Sequence, residues 1–137
     1  MLRIFLLFFA FCVCFTALLL QGQQPAVIPR PVEYKTGSGQ FLLSGSTRLA
    51  FEGNNLLAQN VSWFKGRLKQ SGIEVDKAAG NTIQFSLSAG SANLPSDEGY
   101  RLVITDTLLK IEAKQPAGIF YAMQTLLQMV PVHNPSG

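Results

Sequence analysis

Two adjacent carboxylates, Asp97 and Glu98, are the residues of this chain that come closest to a catalytic pair. Paired carboxylic acids act as acid, base or nucleophile in the hydrolysis of many glycosidic bonds. Adjacent side chains at the mouth of a strand point in different directions, however, and nothing apolar surrounds this pair. We therefore interpret Asp97 and Glu98 as a solvated loop pair, and the spacing predicts no catalytic residue.

The single histidine, His133, lies in the C-terminal segment 131–137. One histidine without a nearby Cys, Asp or Glu is weak support for a metal site or a general base. The sequence contains no nucleophile elbow, phosphate-binding glycine loop or metal-ligand pattern, so no metal site and no cofactor is predicted. Asn60-Val61-Ser62 matches the N-glycosylation pattern, but it falls within a predicted helix, and we interpret the match as incidental.

The charge pattern argues against nucleic acid as a partner. The chain of 137 residues has 11 Lys or Arg and eight Asp or Glu, a net charge of +3. Lys65, Arg67 and Lys69 form its tight basic group, on what we interpret as the solvent side of a helix. No basic stripe alternates with aromatic residues, as nucleic-acid binding would require.

The N-terminus has the layout of a secretory signal peptide. Arg3 precedes an apolar run over residues 4–20, and polar residues follow from Gln21. We predict a signal peptide at 1–22, cleaved after Gly22, and an exported protein, periplasmic or extracellular, with no stable membrane insertion after cleavage. The alternative is a retained membrane anchor, for which about 17 residues is short. Cys12 and Cys14 both lie in this run, so the mature chain is expected to be held by its core alone.

Apolar periodicity predicts the elements that must position the remaining side chains. Leu57, Val61, Phe64 and Leu68 recur at the spacing of one helix face, with Asn54 or Asn55 as N-cap and Gly72 as C-terminal glycine. A Pro-rich leader is predicted at 23–31 and a domain at 32–130. Strands are predicted at 32–35, 40–43, 47–51, 82–87, 100–105 and 108–113. An α+β two-layer sandwich, with a largely antiparallel sheet of about five or six strands backed by two helices, is the simplest way to bury these faces.

The second helix, predicted at 117–130, has no charged residue on any side. Its stripe toward the core is expected to consist of Ile119, Met123, Leu126 and Val130. The opposite side is polar but neutral, whereas a surface helix normally carries charges there. We therefore predict an interdomain contact on this side and interpret the chain as the front portion of a larger protein. The candidate contact residues are Tyr121, Gln124, Thr125 and Gln128.

Three segments resemble the N-terminal, non-catalytic domain of glycoside hydrolase family 20, the beta-N-acetylhexosaminidases. The first is Val-Ile-Pro-Arg-Pro at 27–31 with Gly-Gln-Phe-Leu-Leu at 39–43. The second is Glu-Gly-Tyr-Arg-Leu-Val-Ile at 98–104. The third and most specific is Ala-Gly-Ile-Phe-Tyr-Ala-Met-Gln-Thr-Leu-Leu-Gln at 117–128, which is similar to the helix that precedes the family's catalytic barrel.

The resemblance implies a (β/α)8 barrel of the same polypeptide as partner, beginning shortly after Gly137, with 131–137 as the start of the linker. In the family, the catalytic acid pair lies in that barrel and the acetamido group of the substrate acts as nucleophile. None of those positions matches a residue here, so no catalytic residue is carried over. The resemblance further implies that the parent enzyme acts on glycans and that this fragment alone is inactive.

Two other functions remain open from the sequence. A stand-alone carbohydrate-binding or adhesion module would display several exposed aromatic residues, whereas Trp63 is the one tryptophan. A protein-interaction module would use the neutral helix to bind a separate subunit. Specific sugar binding by the isolated domain would favour the first of these alternatives.

Overall fold

The computed structural model describes residues 26–37, 39–52, 55–77, 80–88, 94 and 96–130. The predicted signal peptide, Cys12, Cys14, Asn54 and His133 lie outside the described residues. Within this part of the chain, no helix has both the length and the apolar character needed to cross a membrane. The elements in order are β1 (Arg48–Glu52), α1 (Asn55–Gln70), β2 (Thr82–Leu87), β3 (Tyr100–Ile104), β4 (Leu108–Ala113) and α2 (Pro116–Met129).

The strands form one sheet in the order β1-β2-β4-β3, with both helices packed on it. The α+β class is confirmed, but the prediction of a largely antiparallel sheet is wrong. β1 pairs with β2, and β2 with β4, in parallel, and only β3 and β4 are antiparallel. β1 and β2 are parallel because α1 carries the chain back along the length of β1, so that β2 starts at the same end. β2 and β4 are parallel because β3 runs in the opposite direction between them in sequence and takes the outer edge of the sheet.

The prediction of five or six strands is not confirmed, since the described residues form four strands. Segments 32–35 and 40–43 contain apolar residues but no strand, and Val32 is fully exposed. In segment 40–43, backbone groups bind side chains instead of a neighbouring strand. The Gln40 amide donates to Asp106 Oδ1 at 2.7 Å, and Asn81 Nδ2 donates to the Leu42 carbonyl at 2.5 Å.

One face of the sheet and the inner faces of the helices form the core. The predicted stripe of α1, namely Leu57, Val61, Phe64 and Leu68, is confirmed as buried. Phe64 meets Phe85 of β2 edge to face, with ring centroids 6.0 Å apart. Gly72 ends the helix with φ +81°, a conformation that glycine adopts without steric cost.

Asp76 ties the outer edge of β1 to α1. Its Oδ1 accepts a hydrogen bond from the Leu49 amide at 2.8 Å, and Lys65 Nζ lies 2.7 Å from its Oδ2. Partial burial raises the pKa of Asp76, but the hydrogen bonds from Lys65 and Leu49, with the charges of Lys65 and Arg48, outweigh burial and lower the pKa of this carboxyl overall. The ionised form of Asp76 is therefore the one that the fold stabilises.

Candidate functional site

Helix α2 begins at Pro116, where a proline costs nothing because the first amides of a helix have no partner within it. Gly118, Ile119, Ala122, Met123, Thr125 and Leu126 are its buried residues. The predicted core positions Ile119, Met123 and Leu126 are thus confirmed. Val130 lies one residue beyond the helix and is half-buried.

Gly118 allows α2 to approach the backbone that leads into β3. A Cβ atom at this position would lie 2.5 Å from the Gly99 carbonyl oxygen and 2.8 Å from the Ala113 Cβ. Both distances are shorter than real Cβ contacts, so only glycine fits without movement of the backbone. This contact fixes where the N-terminal turn of α2 sits on the sheet.

The four candidate contact residues lie on one side of α2, as their spacing predicts, but they differ in exposure. Tyr121 is 44% exposed and Gln124 is half-buried. Thr125 is only 6% exposed, and its hydroxyl forms a hydrogen bond of 2.6 Å with the Tyr100 hydroxyl of β3. Gln128 is exposed, but its amide binds the backbone of Ile28. The interdomain role stays a prediction. Tyr121 and Gln128 are the exposed residues of the four, and the amide of Gln128 is already bound to Ile28.

An apolar groove of about 320 Å³ runs between the N-terminal parts of the two helices. Asn60 Nδ2 closes one side by donating to the Pro116 carbonyl at 2.9 Å. Leu56 is 58% exposed at the rim. Beneath this region the half-buried Trp63 packs on Phe120, with ring centroids 4.9 Å apart. The residues that line the groove are uncharged: Leu56, Asn60, Pro116, Ala117, Phe120 and Tyr121.

Sequence reasoning missed the α1 side of this groove. Leu56, Asn60 and Trp63 stand at positions i, i+4 and i+7 of α1, the spacing of a second stripe beside the core stripe. That spacing was a usable signal. Asn60 interrupts it with a polar side chain, and its partner, the Pro116 carbonyl, lies 56 positions further along the chain.

The remaining candidate residues carry no assembled chemistry. Asp97 and Glu98 lie in an exposed turn before β3, as predicted. Among the described residues, no group of three or more His, Cys, Asp or Glu side chains is placed to hold a metal ion. The uncharged groove between the two helices is therefore the candidate functional feature of this surface.

Residues 24–136 match the family model of glycosyl hydrolase family 20, domain 2. The chain belongs to glycosyl hydrolase family 20. It is 36% identical over 110 residues to a beta-N-acetylhexosaminidase from Cellulomonas fimi, covering 77% of this chain and 22% of the relative. The match therefore spans about a fifth of that protein's length.

Solved structures agree with this assignment. The family 20 beta-N-acetylhexosaminidase from Streptomyces coelicolor A3(2) is 27% identical, with a TM-score of 0.63 over 77% of this chain and 21% of that protein. A beta-N-acetylhexosaminidase from Bacteroides fragilis is 25% identical, with a TM-score of 0.61 over 82% of this chain and 22% of that protein. The Vibrio harveyi exo-beta-N-acetylglucosaminidase, 20% identical, shares the fold with a TM-score of 0.63 over 80% of this chain and 16% of that protein.

The three segments that resemble family 20 meet at α2. The first touches it where Ile28 binds Gln128. The second touches it twice, at the close approach of Gly99 to Gly118 and at the bond between Tyr100 and Thr125. The third segment is α2 itself. The three segments that most resemble family 20 therefore pack together around α2 in this domain.

Proposed function

We propose that this chain is the N-terminal accessory domain of an exported beta-N-acetylhexosaminidase. The complete enzyme would hydrolyse terminal N-acetylhexosamine from glycans, and this domain would supply no catalytic residue. The match to domain 2 of family 20 over residues 24–136 carries the proposal. The similarity to the Cellulomonas fimi hexosaminidase supports the reaction class.

The groove between α1 and α2 is the surface that we assign to the catalytic barrel of the same polypeptide. Its lining is uncharged, and burying an unpaired charge in an interdomain contact would be costly. Leu56 and Tyr121 remain substantially exposed at its rim, so they have apolar area to bury. Interdomain contacts within one chain commonly cover on the order of 600–1,500 Å², to which such a groove can contribute.

Activity measurements test the enzymatic part of the proposal. We would compare this chain with the longer polypeptide encoded by the same reading frame, using a chromogenic N-acetylglucosaminide. The expected result is turnover by the longer polypeptide and none by this chain. Turnover by purified chain 1–137, with contaminants excluded, would contradict the accessory role. Specific sugar binding by this chain would instead favour the carbohydrate-binding alternative.

The contact surface has its own test in Tyr121→Lys. In the longer polypeptide, this variant is expected to lower Tm, because a charge would enter the contact. In chain 1–137 it should change the free energy of unfolding by no more than about 1 kcal/mol, because Tyr121 is partly exposed and loses mainly its ring contact with Phe120. Val103→Lys is the control, since Val103 is also 44% exposed but lies on the sheet face away from the helices. Equal effects of both variants in the longer polypeptide would argue against the groove as the contact.

Export is tested by fusing residues 1–25 to a reporter that is active only outside the cytoplasm. We expect activity, and loss of about the first 22 residues as measured by mass spectrometry. A fusion that keeps its full mass and stays in the membrane fraction would support the anchor instead.

A further inference from the structure

The N-terminal segment is held on α2 through both backbone groups of one residue. Gln128 Oε1 accepts a hydrogen bond from the Ile28 amide at 2.9 Å, and Gln128 Nε2 donates to the Ile28 carbonyl at 2.9 Å. A primary amide presents a donor and an acceptor side by side. It can therefore pair with a single residue much as an opposing residue does in an antiparallel ladder.

Val27 adds an apolar contact next to this pair. Its side chain is 4% exposed, whereas that of Ile28 is 82% exposed, and Val27 lies outside the main core cluster. The segment thus buries one side chain although it forms neither helix nor strand. Pro29 and Pro31 have no amide hydrogen. In the stretch 28–31, only Ile28 and Arg30 can therefore donate a backbone hydrogen bond, and Ile28 is the one that adjoins the buried Val27. Burial of Val27 and pairing of Ile28 together define one position for the segment.

We propose that Gln128 is a positioning residue that docks the N-terminal segment on α2. The occupant of this docking site is residues 26–28 of the same chain. The folded domain then includes Val27 and Ile28, so part of the predicted leader belongs to the domain. Cleavage after Gly22, as predicted from the sequence, would leave the docked residues intact. This inference does not depend on the activity of a longer polypeptide.

Amide hydrogen exchange of Ile28, measured by NMR in the full chain, tests the docking. Gln128→Met keeps the length of the side chain but removes both hydrogen bonds. We expect the Ile28 amide to exchange about tenfold faster than in the wild type, which corresponds to ~1.4 kcal/mol. Gln124→Met, one helical turn earlier, is the matched control and should leave the exchange unchanged. Equal Ile28 exchange in the wild type and Gln128→Met would overturn the proposal.

Gln128→Glu gives a readout that a merely space-filling role would not produce. A protonated carboxyl group can donate to the Ile28 carbonyl and accept from its amide, whereas a carboxylate can only accept. The ratio of Ile28 protection in this variant to that in the wild type should therefore rise as pH falls through about 4.3, the usual Glu value. A ratio that does not change between about pH 6 and pH 3.5, while other core amides stay protected, would contradict paired hydrogen bonding.

Discussion

Gly118→Ala is expected to destabilise the domain, although alanine is the better helix former. The added Cβ would meet the Gly99 carbonyl oxygen at 2.5 Å, the Ala113 Cβ at 2.8 Å and the Glu98 carbonyl oxygen at 3.3 Å. Two of these three atoms belong to the backbone, so they cannot rotate away as a side chain can. Either α2 or the backbone before β3 must shift to accept the methyl group.

The magnitude follows from two opposing effects. Overpacking of a well-packed site typically costs about 1–3 kcal/mol, and backbone neighbours place this site in the upper half of that range. Replacing a helical glycine by alanine returns roughly 0.5–1 kcal/mol. The net loss is therefore about 2 kcal/mol. At about 4–8 °C per kcal/mol for a domain of roughly this size, Tm should fall by roughly 8–16 °C.

Gly66→Ala is the matched control, because Gly66 also lies within a helix but a Cβ there would meet nothing within 4 Å. This variant should gain about 0.5–1 kcal/mol. Urea unfolding followed by circular dichroism, with thermal melts in parallel, measures both. Opposite signs are expected for the two substitutions. A Gly118→Ala variant as stable as the wild type would refute the close approach at α2.

Two further predictions concern polar contacts. Thr125→Val should lower the free energy of unfolding in urea by about 1–2 kcal/mol, because it removes the partner of the Tyr100 hydroxyl without changing the shape of the side chain. Adding Tyr100→Phe should recover part of that stability. Additive losses from the two substitutions would contradict a direct bond. Asp76 has a pKa lowered by folding, so its contribution is present above the unfolded value of 3.8 and lost as pH falls through the folded pKa. The difference in the free energy of unfolding between wild type and Asp76→Asn should therefore shrink on acidification from about pH 5 to pH 3. The change should be less than about 1 kcal/mol, because the ion pair is partly exposed. A difference that stays constant would argue against the ionised form of Asp76.

Local patterns were sufficient to predict the helices and most of the strands. The α1 stripe from Leu57 to Leu68 and the alternation in β2 each depend on neighbours within one element, and the structure confirms both. The β3–β4 hairpin follows from the tight turn between its strands. In each of these cases, the residues that determine the conformation lie within a few positions of one another.

Features that depend on distant residues were not predictable in this way. The parallel pairing of β2 with β4 is a property of how the chain crosses the sheet, and no residue of either strand encodes it. The apolar residues at 40–43 suggested a strand, but the partners of their backbone, Asp106 and Asn81, lie 66 and 39 positions away. Thr125 was expected on the outer side of α2, because its sequence position does not reveal that Tyr100 offers it a buried partner.

The neutral character of α2 therefore has two separate causes. At Thr125 and Gln128 the domain itself favours uncharged side chains. A charge at the buried Thr125 would be costly, and neither a Lys nor an ionised Glu at 128 could supply both the donor and the acceptor that bind Ile28. Phe120 is held by its ring contact with Trp63, but Ala117 and Tyr121 are exposed where the groove stays open toward Leu56, and there a contact with a neighbouring domain would account for the absence of charge. The proposed neighbouring domain therefore accounts for the neutral residues on the groove flank of α2 alone. A charge introduced at Tyr121 tests the proposed interdomain contact, whereas a charge at Gln128 would test the docking of the N-terminal segment.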